Sequence, residues 1–256
     1  MFSWFRHVLY SSSRSSQSDF ASITSHELRT PLSIVKWYTE ILLDEDMGPL
    51  NEDQKKYLRV IESSNERAIA LVTALLNVSR LELGTFSVSP EPLLFTNVLE
   101  EVLKKQEPKI SKKKVTLTKE VFGDSYTIPL DKGIVTLIIR SILENAISFS
   151  KEGGRVEVAV SYSPSLLTYT VKDTGVGIKS NEQEKLFTKM FRGSNVQDDV
   201  KGSGLSLYIA KTLLSKVGGT LFFSSKENEG STFTVNLPAT GMRKRSGSTK
   251  LEAGLS

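Results

Sequence analysis

Ser25-His26-Glu27-Leu28-Arg29-Thr30-Pro31-Leu32 sets one of the chain's two histidines directly before a carboxylate. The octet lies in a segment where Phe20, Ile23, Leu28, Ile34, Val35, Tyr38, Ile41 and Leu42 recur at helical spacing. A histidine ring nitrogen can accept a phosphoryl group, and an adjacent acid can orient the ring or take its proton. Thr30, four residues on, shares the helix face of His26. Pro31 offers no N–H to the Glu27 carbonyl, which predicts a bend just past the histidine.

The residues after the octet predict a partner helix. Asp44-Glu45-Asp46-Met47-Gly48-Pro49-Leu50-Asn51 interrupts the pattern with turn and breaker residues. Leu58, Ile61, Ala68, Leu71, Val72, Leu75 and Leu76 then form one stripe, with Gly84 suited to a C-cap. Two long amphipathic helices on a short loop make an antiparallel hairpin whose apolar stripes stay half exposed. Pairing two copies into a four-helix bundle covers them.

From about residue 94 the pattern changes to mixed strands and helices. Residues 115–122, 155–161, 167–171, 220–225 and 232–237 read as strands, and 134–149 and 205–217 as helices. The expected fold class is α+β, with the hairpin followed by an α/β sandwich carrying helices on one side of a mixed or antiparallel sheet. The expected domains are an N-terminal segment and Ser-rich linker at 1–18, the hairpin at 19–84, the sandwich at 94–239 and a disordered basic tail at 240–256.

Composition narrows the function. The 256 residues carry a net charge of only +4, with 39% hydrophobic and 24% charged residues, those of an ordinary globular chain. The basic run Arg243-Lys244-Arg245 is too small for a nucleic-acid footprint. With no cysteine, thiolate chemistry and Cys-based metal sites are excluded. No apolar run reaches the ~18 residues of a membrane span. The aromatic start, Met1 to Tyr10, is too short for one, and leaves attachment to a membrane surface or an upstream sensor protein open. About 18 residues before the first helix are too few for a sensor domain, so input comes from a partner or the chain is a fragment. A cytoplasmic location is expected.

Several later motifs suit a nucleotide. Asp173-Thr174-Gly175-Val176-Gly177-Ile178 follows a strand, where an aspartate can accept a bond from an exocyclic amine and glycines allow close backbone approach. Gly202-Ser203-Gly204-Leu205 opens a helix whose N-terminus suits an anion. Asn145, late in the long helix, offers an amide oxygen to Mg²⁺. Leu186-Phe187-Thr188-Lys189-Met190-Phe191-Arg192-Gly193 joins apolar anchors to an arginine suited to phosphate. Residues 193–203 would form a lid.

In this order, the octet, Asn145, DTGVGI, LFTKMFRG and GSGLSLYIAK resemble the H, N, G1, F and G2 boxes of sensor histidine kinases, over residues 19 to 238. The resemblance implies a dimerisation and phosphotransfer hairpin followed by a Bergerat-type ATP-binding domain. It implies His26 as nucleophile toward ATP, Glu27 as its base, Thr30 in dephosphorylation of a response regulator, and Arg192 at the terminal phosphate. Asn145 would hold Mg²⁺. Asp173 would read adenine, with Phe149 and Ile178 lining the base, and Gly175, Gly177, Phe187, Gly202, Gly204 and Leu205 would complete the nucleotide site. The implied partners are a second copy and the receiver domain of a response regulator.

Three positions depart from the family pattern. Ser141 stands where an asparagine or acid is usual, Ser148 where a lysine or arginine is usual, and Ser206 where a glycine is usual. They leave an alternative reading: a kinase-like module with weak kinase activity that serves as phosphatase or scaffold. A chaperone-type or mismatch-repair-type ATPase fits the second domain but not the octet.

Overall fold

Asn51 starts the longer hairpin helix with a reciprocal cap. Its side chain accepts from the Gln54 N–H at 2.8 Å, and the Gln54 side chain accepts from the Asn51 N–H at 2.9 Å. Glu52 and Asp53 add negative charge to the first turn, and Gly84 closes the helix at φ 67°, its N–H on the Arg80 carbonyl. The computed structural model describes residues 27–45, 47–195 and 202–252. They fall into two compact units that divide between Thr85 and Phe86.

In the first unit, α1 (residues 27–43) is helical on both sides of Pro31, and α2 spans Glu52–Leu83. The Asn65 amide donates to the Leu32 carbonyl at 2.8 Å, and Lys55 pairs with Glu45 across the connecting loop at 2.7 Å. Asn65, Ile69, Thr73 and Leu76 are buried on α2, as is Thr39 on α1. A second apolar row remains open: Leu28, Val35, Tyr38 and Leu42 on α1, with Ile61, Leu71 and Leu75 on α2. Spacings of three, four and seven residues on α1, and of ten and four on α2, place each row along one side of its helix.

The second unit contains β1 (Glu91–Leu93), α3 (Phe95–Lys112), β2 (Thr116–Phe122), β3 (Ile128–Leu130) and α4 (Lys132–Phe149). β4 (Arg155–Tyr162), β5 (Leu166–Asp173), a 3-10 turn at Ser180–Lys185, α5 (Ser206–Val217), β6 (Thr220–Lys226) and β7 (Gly230–Pro238) follow. Five strands form a mixed sheet in the order β2-β4-β5-β7-β6, parallel only between β2 and β4. Val156, Val158 and Val160 of β4, Leu167, Tyr169 and Val171 of β5, and Val235 and Leu237 of β7 are buried. The alternation turns one face of each strand inward. α4 packs on β5 between α3 and α5, and α5 packs on β6. The expected strands and helices are all present within a residue or two at their ends. α3 was not anticipated, although Phe95, Val98, Leu99, Val102 and Leu103 are buried at helical spacing. Nor was the small antiparallel sheet of β1 with β3.

The boundaries expected for this unit need correction, because residues 240–252 are not a disordered tail. The Met242 N–H donates to the Pro129 carbonyl at 2.8 Å, Val88 and Arg245 exchange two backbone bonds, and the Ser87 N–H reaches the Thr249 carbonyl at 2.8 Å. The Arg245 guanidinium lies 4.5 Å from the centroid of the fully buried Phe86 ring, and Met242 and Leu251 are buried. Polar composition suggested disorder, but two apolar anchors and a cation on an aromatic face hold the segment. The unit therefore begins at Phe86, not at 94. Deleting residues 240–256 is expected to lower the unit's unfolding free energy by on the order of 3–5 kcal/mol, since Phe86 is uncovered and two side chains leave the core. An unchanged urea midpoint in the truncated chain would show that the segment contributes nothing.

Candidate functional site

β5 carries the site's central group. Leu167, Tyr169, Val171 and Asp173 are all buried and two residues apart, so the carboxylate ends an otherwise apolar row. Asp173 is 4% exposed, and its Oδ1 accepts from the Gly175 N–H at 2.8 Å. Burial pushes its pKa up to about 6, against the lowering effect of hydrogen bonds from the Gly175 and Ser231 backbone. The carboxyl thus titrates closer to neutral pH than an exposed aspartate does, a pattern concentrated at functional sites.

The loop after it is tied down on several sides. The Val176 N–H donates to the Phe149 carbonyl at the end of α4 (3.2 Å), Gly175 bridges to Ser150, and the Asn228 N–H donates to the Val176 carbonyl at 2.8 Å. Gly177 has φ +63°, and a Cβ there would collide with the Lys226 carbonyl, so backbone passes directly over backbone. The Ile178 N–H donates to Ser225 Oγ at 2.9 Å. Ser225 was missed by sequence reasoning, as were Gln183 and Asn195, whose amides also bond this loop.

Asn145 lies one turn before Phe149 on α4, so the two share a helix face. The neighbouring Glu144 is engaged by Lys109 at 2.8 Å and Gln106 at 3.1 Å, whereas the half-buried Asn145 amide makes no hydrogen bond among the described residues. It remains available to a ligand. Ser141, a turn earlier, is buried. The Ser148 carbonyl accepts from Lys113, whose pKa burial pushes down.

α5 begins at Ser206 without a side-chain cap, leaving first-turn N–H groups open to an anion. Gly204 has φ +68°, and a Cβ would lie 2.6 Å from the Met190 carbonyl carbon, so the turn into α5 presses on the Met190–Phe191 backbone. Leu205 is buried, and Phe187 meets Phe223 edge-on at 5.5 Å. Gly202 has open space around the position of a Cβ, and Arg192 is exposed. Ser206 is an ordinary first helical residue, a conformation that does not require glycine.

Direct bonds or close approach therefore join Asp173 to Gly175, Gly175 and Val176 to Phe149, Gly177 and Ile178 to Lys226 and Ser225 of β6, and Gly204 to the segment carrying Phe187 and Arg192. Glu27 and Thr30 are exposed in the first turn described for α1. His26 lies outside the described residues, as do 196–201 of the expected lid.

The His Kinase A (phospho-acceptor) domain family matches residues 16–84, and the family of histidine kinase-, DNA gyrase B- and HSP90-like ATPases matches residues 131–241. The chain belongs to the sensor histidine kinases. Circadian input-output histidine kinase CikA of Synechococcus elongatus is 28% identical over 90% of the chain, and cell-division control histidine kinase PdhS of Brucella suis is 27% identical over 88%. The chain spans 31% and 23% of the length of these two relatives. Full-length ShkA, crystallised with AMPPNP, shares the fold with a TM-score of 0.71 at 24% identity, covering 90% of this chain and 47% of ShkA. The histidine kinase match fits a glycine loop beside a buried carboxylate and an uncapped helix.

The Asp173 shift also makes the site a stability cost. A carboxyl near 3.8 when unfolded and about 6 when folded holds its proton more tightly in the folded state. That contribution is fully present below pH 3.8 and is lost as pH rises through about 6. Asp173→Asn is therefore expected to stabilise the unit at pH 8 by about 1–3 kcal/mol, with the gain fading toward pH 4. Urea titrations at the two pH values measure it, and a destabilised variant at pH 8 would contradict the burial argument.

Proposed function

We propose that this chain autophosphorylates His26 from Mg-ATP and passes the phosphoryl group to an aspartate on the receiver domain of a response regulator. The observation that carries the reading is the buried pairing of Asp173 with its glycine loop, in a chain whose phospho-acceptor match encloses His26. Asp173 accepts from the adenine amine through oxygen capacity that the Gly175 N–H leaves unused. Phe149 and Ile178 flank the base, and Gly175, Gly177, Gly202 and Leu205 shape the backbone around the nucleotide. Phosphates lie at the α5 N-terminus beside Gly204, with Phe187 anchoring the segment that brings Arg192 to the terminal phosphate. The free amide oxygen of Asn145 suits Mg²⁺, which neutralises phosphate charge when bound.

A ring nitrogen of His26 attacks the γ-phosphorus, the bond to the β-phosphate oxygen breaks, and ADP leaves. Glu27 orients the ring and takes its proton. Thr30, one turn on, serves the reverse reaction by positioning water against the phosphorylated response regulator. Support for that partner comes from the histidine kinase ThkA in complex with response regulator protein TrrA. That structure shares the fold at 19% identity and a TM-score of 0.60, with 94% of this chain and 67% of ThkA covered. The proposed reaction takes place in the cytoplasm, and no described helix is long and apolar enough to cross a membrane. The segment 1–18, outside the described residues, would provide any tether to a membrane or sensor.

With [γ-32P]ATP, the wild type is expected to take up acid-labile, base-stable label that His26→Ala abolishes. Label surviving His26→Ala would remove His26 as nucleophile, and wild type that binds ATP without labelling would favour the phosphatase or scaffold reading.

The open apolar row on α1 and α2 supports a homodimeric four-helix bundle. Leu71→Glu with Leu75→Glu is expected to turn a dimer into a monomer in light scattering at micromolar concentration. A wild-type monomer would contradict the bundle.

A further inference from the structure

The glycine loop at 176–178 presents three consecutive backbone carbonyls, and two carboxamide side chains donate to all three, the Val176 carbonyl accepting the Asn228 N–H as well. Asn195 Nδ2 donates to the Val176 carbonyl at 3.3 Å and the Gly177 carbonyl at 3.2 Å. Gln183 Nε2 donates to the Ile178 carbonyl and to the Ser225 carbonyl, both at 3.1 Å. One planar NH₂ supplies two donors without a charge, so each amide spans two acceptors. A shorter hydroxyl brings one donor, and a carboxylate brings none.

The two amides come from opposite sides of the segment Leu186–Gly193. Gln183 lies in the 3-10 turn before it, and Asn195 is the second residue after it. Glu182 accepts from the Ser194 N–H at 3.2 Å, and Lys179 reaches Ser194 Oγ at 2.9 Å, closing the base of the same excursion. The segment that carries Phe187 and Arg192 therefore leaves the glycine loop and returns to it, stapled at each end.

We infer that Gln183 and Asn195 are positioning residues that preorganise the base-recognition loop and tie it to the arginine-bearing segment. The inference rests on the reading of Asp173 and its loop as the adenine site. It explains why two polar side chains outside the family motifs are spent on main-chain carbonyls: a loop fixed before binding loses less entropy when the base arrives. A loop built from two glycines has the most freedom to lose.

Gln183→Glu and, independently, Asn195→Asp keep side-chain volume while replacing two donors with a charge that repels carbonyl oxygens. Each is expected to raise the calorimetric Kd for ATP at least tenfold and to narrow the preference for ATP over GTP. Backbone amides at 176–178 should exchange faster without nucleotide, with exchange in β4 and α4 unchanged. A general structural defect would instead accelerate exchange across the unit. Loop exchange and Kd within twofold of wild type in both variants would overturn the inference. Wild type that binds no ATP would overturn the adenine reading beneath it, a result separate from the nucleotide-free exchange.

Discussion

The structure turns on a carboxylate at a position where strand geometry demands an apolar side chain. β5 buries every second residue, and the row Leu167, Tyr169, Val171 ends on Asp173. A buried acid without adequate partners costs stability. Two backbone N–H groups lessen that cost without removing it, as the raised pKa shows. The surrounding architecture follows. The sharp turn after Asp173 lets Gly175 reach back to it, Gly177 passes over the Lys226 carbonyl, and Phe149 receives the Val176 N–H. β5, β6 and α4 thus meet at one loop.

The hairpin depends on a different constraint, the need to begin and end a 32-residue helix cleanly. Asn51 with Gln54 and Gly84 satisfy the terminal groups at its two ends. Between them, one face meets α1 through Asn65 and Leu32 while the other retains exposed leucines and isoleucine. The interior is too small to cover both faces, and the proposed second copy would make good that deficit.

The pattern of the sequence was readable wherever one short stretch carries the whole signal. Alternation in β4 and β5, the helical period of α2 and the cap at Gly84 are local periodicities or turn chemistry, and the structure agrees with each, although the row that α2 buries, Asn65, Ile69, Thr73 and Leu76, shares only Leu76 with the expected stripe. The same alternation, extended one step to Asp173, carried the information that this acid faces inward. α3 was legible too, since its buried residues recur at helical spacing, but the lysines and Pro108 within it mask the stripe. The basic segment 240–252 was not legible. Its anchors, Met242 and Leu251, acquire meaning only against Pro129 and the linker that starts at Phe86, more than a hundred residues earlier.

The sequence by itself determined that the chain has a helical hairpin with a reactive-type histidine beside an acid, then an α/β unit with glycine loops suited to a nucleotide. Local spacing suffices for that, because helix period, strand period and turn residues act over a few positions. Only the tertiary structure decided that Asp173 is buried with its pKa raised, and that Gly177 and Gly204 are required by close backbone contacts while Gly202 is not. It alone joined Gln183, Asn195 and Ser225 to the loop. Those properties depend on which carbonyls and side chains meet from distant parts of the chain, and spacing along the chain does not encode that meeting.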